Sequence, residues 1–370
     1  MRVAFFGAFD PAYPRNIVLR EALESSGVEP VSISVPPGTR PVAREGSLVL
    51  QWLRASGGID AVIVPAFGHR DVPLARLLGR TAGAPVLFDP LVSRWDTQVT
   101  DLGRCRPGSA AAGRLRASDR LAFSLADLVL CDTWEHGDFY SESYDLPRRK
   151  LCRVPVGAPW SAFRRGEGRA PRGGSDSVEV VYVGGFIPLH GVPTIVEAAT
   201  ILEERHGPRF ARFVLIGDGM TAPRAERDLA ARGLRSVWRV PRVSQEEALE
   251  RLARADIALG IFGTTPKAGR VVPHKVYQAL ALGTLTITRR SAAISEFFRD
   301  GQHLVLVPPG DAPALAAAIE ALAKDPERRA RIGEAGRAAA LEQVSPERIG
   351  ACLVDAIQRA RASTEPRLKR

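Results

Sequence analysis

The feature that most constrains the fold is a repeated alternation of short apolar runs with longer amphipathic segments. The short runs are typical of buried strands, and the segments between them have the periodicity of helices that cover a sheet. Strands that alternate with helices require crossover connections, which favour parallel sheets covered on both faces. The first series of predicted strands lies at Arg2–Phe6, Val31–Ser34, Ala61–Val64, Pro85–Phe88, Leu128–Cys131 and Leu151–Val154.

The alternation is interrupted once, near the middle of the chain. Residues 164–177 are rich in Gly, Arg and Ser and lack apolar anchors, which is typical of a linker. We therefore predict an α/β protein of two Rossmann-like, doubly wound domains, residues 1–165 and 178–345, which are joined by a linker at 166–177 and face each other across a cleft. The second series of strands is predicted at Val178–Val183, Phe213–Ile216, Val237–Val240, Asp256–Leu259, directly after Gly283, and at Leu304–Val307.

Composition limits the partners and the compartment. The net charge of +10 favours acidic partners such as nucleotide phosphates or anionic lipids, although an arginine-biased proteome is the simpler explanation for most of it. Aromatic residues are too sparse for a nucleic-acid platform, so we expect no nucleic-acid partner. The four cysteines show neither metal nor redox spacing. With no signal peptide and no apolar run near the ~20 residues that span a bilayer, we expect a cytoplasmic protein, with peripheral contact at the inner membrane face left open.

The stretch Gly260–Thr288 has the clearest anion-binding pattern. It leaves a predicted strand, passes through a Gly/Pro/Thr loop and enters a helix near Pro273 that stops at Gly283. The N–H groups and the dipole at a helix start attract anions, and Lys275 in the first turn would add a full positive charge. The alternative interpretation is a solvated lysine that follows an ordinary helix-start proline.

A second loop, Gly184–Gly191, follows the first strand of the second domain. Its glycines would allow a phosphate to approach the backbone, and His190 would reach it. A loop histidine bonded to backbone is the alternative. The loop lacks the G-x-G-x-x-G fingerprint, which disfavours an NAD-dependent dehydrogenase.

Four segments, taken in order, resemble the donor half of a group 1 (family 4) glycosyltransferase. They are Val181–Ala199, Leu215–Gly219, Pro273–Thr288 and Ile294–Asp311, and they cover nearly all of the second half. The first half resembles the family more loosely, through the loop after Gly7 and the loop within Phe88–Asp96.

This resemblance implies the GT-B fold and a transfer that retains the anomeric configuration. The second domain would bind a nucleoside-diphosphate sugar as donor, and the first would bind a glycan, a lipid-linked molecule or a small molecule as acceptor. The resemblance also implies that a C-terminal helix, residues 346–362, packs back on the first domain. No cofactor is expected beyond the donor substrate.

The sequence departs from the family at four of these positions. Gly185 and His190 stand where the family has the Arg and Lys that clasp the diphosphate, and Arg270 and Gln278 stand where it has paired glutamates. Basic residues on the other loop would then supply the missing charge and stabilise the leaving diphosphate without a metal.

The predicted site residues fall into three groups, with no metal ligands. The catalytic candidates are His190, Lys275, Arg270 and Asp89. The donor-binding candidates are Gly184, Gly185, Gly217, Arg242, Phe262, Gly263, Pro273, His274, Val276, Gln278 and Glu296. The acceptor-side candidates are Gly7, Phe9, Arg15 and Arg94. For the isolated charged residues a simpler interpretation stays open, with Asp89 as a loop cap and Glu296, Arg242, Arg15 and Arg94 as surface residues.

Two further functions stay open at this point. One is a catalytically inactive or regulatory paralogue that binds nucleotide sugars, because four expected residues are replaced. The other is an epimerase or phosphorylase on the same fold.

Overall fold

The computed structural model describes residues 1–55, 57–168 and 177–364. The chain divides into two compact units, one formed by Met1–Gly157 together with the segment from Ser345 onward, and the other by Ala158–Val344. Most of the predicted linker, residues 169–176, lies outside the described residues. The predicted domain limits of 1–165 and 178–345 therefore stay predictions.

The described part of the first unit is built on six parallel strands in the spatial order β2-β1-β3-β4-β5-β6. Ala4 of β1 lies opposite Val31 of β2 on one side and Val62 of β3 on the other. Every residue of β3 is buried, as expected for a strand covered on both faces. The strands are β1 (Arg2–Ala8), β2 (Glu29–Val35), β3 (Ala61–Val64), β4 (Val86–Phe88), β5 (Leu128–Cys131) and β6 (Leu151–Arg153).

The second unit contains a second parallel sheet. Its described strands are β7 (Val178–Val183), β8 (Ala211–Ile216), β9 (Val237–Val240), β10 (Ile257–Leu259), β11 (Leu285–Arg289) and β12 (Val305–Val307). Their spatial order is β12-β11-β10-β7-β8-β9. The direction in which the chain adds strands therefore reverses between β7 and β10. In doubly wound sheets, ligands bind outside the carboxyl ends of the strands at such a switch point.

Helices cover both sheets, and the predicted class, α/β with doubly wound parallel sheets, is confirmed in each unit. In the first unit the helices are α1 (Pro14–Ser25), α2 (Pro41–Ala55), α3 (Val72–Ala82), α4 (Ala110–Leu125) and α5 (Trp134–Tyr144). In the second they are α6 (Trp160–Gly166), α7 (Val192–His206), α8 (Ala222–Arg232), α9 (Gln245–Arg254), α10 (Pro266–Arg270), α11 (His274–Ala281), α12 (Ala292–Ser295), α13 (Ala312–Ala323) and α14 (Pro326–Val344), and the chain then continues into α15 (Pro346–Thr364).

The C-terminal helix α15 packs on α1, within the first unit. Ile349 and Leu353 are fully buried in the same apolar cluster as Leu19 of α1. The two helices approach so closely that a Cβ at Gly350 would lie 2.1 Å from the carbonyl oxygen of Ala22. Only glycine permits this separation.

Short elements appear where loops were predicted. Helix α10 interrupts the loop before Pro273, because the Thr265 side chain accepts the Ala268 N–H and Pro266 occupies the first turn. A π-helical segment spans Asp96–Asp101, and α6 ends at Gly166, the first residue of the predicted linker. These elements have only five to seven residues, too few to show a hydrophobic period, so a periodicity search does not find them.

Candidate active site

Lys275, His190 and Tyr182 meet at the carboxyl end of β7. The Lys275 Nζ lies 3.4 Å from the His190 Nδ1 and 4.0 Å from the centroid of the Tyr182 ring. The Tyr182 hydroxyl donates to the Gly185 carbonyl oxygen at 2.7 Å, and the His190 Nδ1 lies 2.5 Å from the same oxygen. The structure thus brings together His190 and Lys275, which lie 85 residues apart in the sequence. Tyr182 was not predicted, because a tyrosine inside a buried strand has the pattern of a core residue.

Lys275 reaches this position because β7 is followed by glycine. Helix α11 begins at His274, so Lys275 lies in its first turn. A Cβ at Gly184 would lie 2.2 Å from the Lys275 Nζ and 2.6 Å from its Cε. Gly184 therefore leaves the space that the amine occupies, and any larger residue would displace it.

The Lys275 amine is buried without a carboxylate partner among the residues that the structure describes. Lys275 is only 6% exposed, and its side chain contacts the imidazole and the aromatic ring. Burial lowers the pKa of Lys275 well below its ordinary value, and burial followed by the proximity of Lys275 does the same to the pKa of His190. Burial therefore destabilises the full positive charge expected from the sequence, and an anion beside the amine would stabilise it. Buried basic groups without a counter-ion are the arrangement that an anion stabilises most.

Gly185 borders open space at the end of β7. A Cβ there would have no neighbour closer than 3.8 Å. At Gly217 and Gly263, in contrast, a Cβ would lie 2.0 Å from the Gly184 carbonyl oxygen and 2.3 Å from the Leu189 carbonyl oxygen, respectively. Gly217 and Gly263 therefore hold neighbouring loops in contact, and Gly185 leaves room for a ligand.

Further basic side chains lie at the ends of β10 and β11. Arg289, the last residue of β11, donates from Nη1 to the Gly263 carbonyl oxygen at 2.6 Å, and burial lowers its pKa. Lys267 of α10 is 5% exposed, and Arg270 ends the same helix half-buried. Neither Lys267 nor Arg289 was predicted as a site residue. Arg289 stands at the carboxyl end of an apolar strand, and this position was the signal from which it could have been predicted.

Two predicted donor-binding side chains belong to the core instead. Phe262 and Val276 are fully buried, because the loop and the first turn of α11 pack down on the sheet. The Val276 N–H donates to the Pro273 carbonyl at 3.0 Å, and Pro273 has no N–H of its own. Gln278, one turn after Lys275, is 7% exposed and lies on the same helix.

The other predicted donor residues differ in exposure. His274 is half-buried at the start of α11, Glu296 is half-buried directly after α12, and Arg242 is exposed after β9. The described residues contain no cluster of three His, Cys, Asp or Glu side chains that could hold a metal ion, and the predicted absence of a metal site stays a prediction.

In the first unit, Arg15 and Asp89 form a buried ion pair. Arg15 is fully buried, and its Nε donates to the Asp89 Oδ2 at 2.8 Å. Its terminal nitrogens donate to the carbonyl oxygens of Pro155 and Val154, at 2.5 and 3.1 Å. Arg15 was predicted to hold an acceptor and Asp89 to act at the donor sugar. Their burial and mutual pairing place both side chains in the interior of the unit, so we do not carry them into the proposed site.

The remaining acceptor-side candidates are also mostly structural. Phe9 is 6% exposed and packs with Phe5 at a ring-centroid distance of 6.4 Å. A Cβ at Gly7 would lie 2.7 Å from the Asp71 carboxylate, so Gly7 makes room for that side chain. Arg94 is half-buried with a pKa lowered by burial, and of these candidates it is the one that keeps a partly exposed charged group.

Comparison with known proteins decides the family. Residues 177–325, which contain the Lys275 cluster, match the model of the family described as glycosyl transferases group 1. This part of the chain belongs to the group 1 glycosyltransferases. The predicted family and the predicted enzyme class, a glycosyltransferase, are therefore confirmed.

The chain is similar in sequence to several named glycosyltransferases. The chain is 30% identical over 264 residues to the alpha-D-kanosaminyltransferase of Streptomyces kanamyceticus, which covers 70% of this chain and 66% of the relative. It is 26% identical to the D-inositol 3-phosphate glycosyltransferase of Kribbella flavida, over 57% of this chain and 51% of the relative. With the MMP alpha-(1->4)-mannosyltransferase of Mycolicibacterium hassiacum the identity is 24%, over 73% and 59%. The matches thus leave at least a third of each relative uncovered.

Solved structures confirm the predicted GT-B fold class of the chain. Anabaena HepE, solved in complex with UDP and glucose, superposes with a TM-score of 0.68 at 13% identity, over 96% of this chain and 99% of that one. The sucrose-phosphate synthase of Thermosynechococcus elongatus gives a TM-score of 0.73 at 17% identity, over 98% and 100%. In the described ranges, no helix has the length and apolar character needed to cross a membrane.

Proposed function

We propose that this chain transfers a sugar from a nucleoside-diphosphate sugar to a glycan, lipid-linked or small-molecule acceptor. The observation that carries the proposal is the Lys275 amine, which is buried beside His190 at the switch point of the second sheet without a carboxylate partner in the described residues. A diphosphate placed there would supply the missing negative charge. Structures of Anabaena HepE with UDP and with UDP-glucose support this class of donor.

The chemistry follows from where negative charge develops. When the bond between the sugar C1 and the phosphate oxygen breaks, the electron pair stays on the diphosphate, and groups that stabilise this charge lower the barrier. Lys275 provides a cation, and its attraction to the diphosphate is strong because an ion pair interacts more strongly in a buried site than in water. No metal is needed for this stabilisation. The resemblance to the family supports retention of configuration at C1.

His190 would act as a second donor to the diphosphate. Its Nδ1 lies 2.5 Å from the Gly185 carbonyl oxygen, which assigns a proton to that nitrogen. In the neutral imidazole, Nε2 is then an acceptor, and only protonation makes it a donor to a phosphate oxygen. The diphosphate itself favours this protonation, because a nearby negative charge raises the pKa of a histidine.

The experiment is a binding and turnover assay on the full chain. UDP, GDP, ADP and dTDP are screened by calorimetry, and transfer or hydrolysis of the matching nucleotide sugar is followed with and without a chelator. We expect one nucleotide to bind and turnover to persist in chelator. Failure of all four to bind would refute the site, and turnover that is lost in chelator and restored by a divalent cation would refute metal independence.

A second candidate is a binding paralogue without activity. It is favoured by the four replaced family positions, of which Gly185 and Gln278 lack the charge of their family counterparts. This function predicts tight binding of the nucleotide sugar with neither transfer nor hydrolysis in the same assay.

A further inference from the structure

Basic side chains continue along the edge of the second sheet beyond the proposed diphosphate position. Lys275 and His190 lie at the end of β7, and Arg289 is the last residue of β11. Strand β10 lies between them. Two strand spacings of ~4.8 Å therefore separate the ends of β7 and β11, or about 10 Å along the edge. Arg289 thus starts two strands away from the Lys275 cluster, on the β10 side, where a group of the donor other than the diphosphate could lie.

Arg289 donates to backbone carbonyl oxygens in its surroundings. Its Nη1 donates to the Gly263 carbonyl oxygen at 2.6 Å, and its Nε lies 3.4 Å from the Arg290 carbonyl oxygen. Its Nη2 lies against α10, 3.5 Å from the position of a Cβ on Gly269. Among the described residues, no carboxylate pairs with Arg289. The adjacent Arg290 differs, because it is 56% exposed and pairs with Asp300 at 2.6 Å.

The elements around Arg289 are also positively charged on balance. Helix α10, which packs on α12, carries Lys267 and Arg270. Glu296 follows directly after α12. Together with Arg289, these elements carry three basic residues and one acidic residue, so an additional negative charge would be stabilised here.

The order of the strands indicates which part of a donor lies near Arg289. A nucleoside-diphosphate sugar is linear, with the base and the sugar on opposite sides of the diphosphate. The loop after β9, with Arg242, is the predicted base position, and β9 is the outer strand on one side of β7. The sugar would then lie on the other side of β7, towards β10 and β11, where Arg289 is located.

We infer that the donor sugar carries a carboxylate, as in nucleoside-diphosphate hexuronic acids, and that Arg289 binds this group. The inference rests on the proposed function and specifies the donor. A guanidinium binds a carboxylate through parallel, charge-assisted N–H···O bonds, which a neutral hexose cannot form. The same positive charge disfavours a sugar that carries an ammonium group.

The test compares matched donors on the full chain. For the nucleotide that binds, calorimetry measures the neutral hexose donor, the hexuronic acid donor of the same configuration and the free nucleoside diphosphate. We expect the hexuronic acid donor to bind at least about tenfold more tightly than its neutral partner, since a charge-assisted bond contributes a factor of about ten to a hundred. In Arg289→Gln this preference is lost, while affinity for the free nucleotide is unchanged. Arg290→Gln, the matched control, keeps the preference.

The outcomes separate this inference from the proposed function. Failure of every nucleoside diphosphate to bind would refute the proposed function. Equal or stronger binding of the neutral donor by the wild type would overturn the inference and leave the proposed function in place. An Arg289→Gln variant that loses affinity for the free nucleotide as well would assign Arg289 to the diphosphate and overturn the inference too. If Arg289→Gln does not fold, the preference of the wild type decides.

Discussion

Replacement of Lys275 by methionine is predicted to stabilise the protein and to weaken the proposed binding of nucleoside diphosphates. Lys275 is 6% exposed, and its amine lacks a carboxylate partner in the described residues. A buried polar group without a full partner costs about 1–3 kcal/mol. The cation–π contact with Tyr182, at 4.0 Å, offsets about 0.5–2 kcal/mol of this cost. Methionine has a similar length and no charge, so we expect Lys275→Met to raise the free energy of unfolding by about 1 kcal/mol.

The same substitution removes the proposed cation from the diphosphate. We expect the affinity for the nucleoside diphosphate to fall by about 1.5–3 kcal/mol, which corresponds to roughly a tenfold to hundredfold increase in Kd. Stability is measured by urea unfolding and affinity by calorimetry. The control is Lys324→Met, because Lys324 is 60% exposed and pairs with Glu320 on the surface, and both quantities should stay at wild-type values.

The opposite signs of the two effects make this prediction specific. A lysine that only supports the fold would give a destabilised variant with unchanged affinity, and that result would refute the reasoning. Loss of stability and affinity together would indicate a disrupted fold, and would refute the claim that the amine is unfavourable without a ligand.

Three further predictions follow from the same structure. In Gly184→Ala the new methyl group overlaps the position of the Lys275 amine, so we expect at least about a tenfold loss of nucleotide affinity by calorimetry. In Gly38→Ala, where a Cβ meets no atom within 4 Å, affinity should be unchanged. Because burial lowers the pKa of both His190 and Lys275, the protein should take up protons when it binds a nucleotide. Calorimetry in buffers of different ionisation enthalpy detects this uptake, and an affinity that does not depend on pH would contradict the prediction. Burial lowers the pKa of His69 to about 4, so this histidine takes up a proton more readily in the unfolded protein than in the folded one. The contribution of neutral His69 to the free energy of unfolding is therefore fully present above pH 6.5 and is lost as the pH falls towards 4. Between pH 7 and pH 5 this amounts to about 2 kcal/mol, and His69→Gln should show correspondingly weaker pH dependence in urea unfolding.

The sheets and the position of the site could be predicted because their signals are local. Hydrophobic runs mark the strands, and Gly283 marks the end of α11 within two residues of the observed Ala281. Strand ends in a doubly wound sheet then fix which loops can meet. For this reason His190 and Lys275, 85 residues apart in sequence, could be assigned to one site.

The environment of each side chain could not be predicted in the same way. Arg15 and Asp89 were interpreted as ligand contacts, but they pair with each other across 74 residues of sequence. Their pairing depends on how two loops pack, and no periodicity records that packing. Phe262 and Val276 were misplaced for a related reason, because a motif that contacts a ligand through its backbone gives no information on where its side chains point.

The close contact between α15 and α1 has a consequence for biosynthesis. The face of α1 that contains Leu19 is covered by α15, which is translated after the whole second unit, since α15 starts at Pro346. On the ribosome, the second unit is therefore fully synthesised while the first still exposes this apolar surface. The order of synthesis and the order of completion are reversed, so a nascent chain stalled before residue 346 should contain a complete second unit and a first unit that is prone to aggregation.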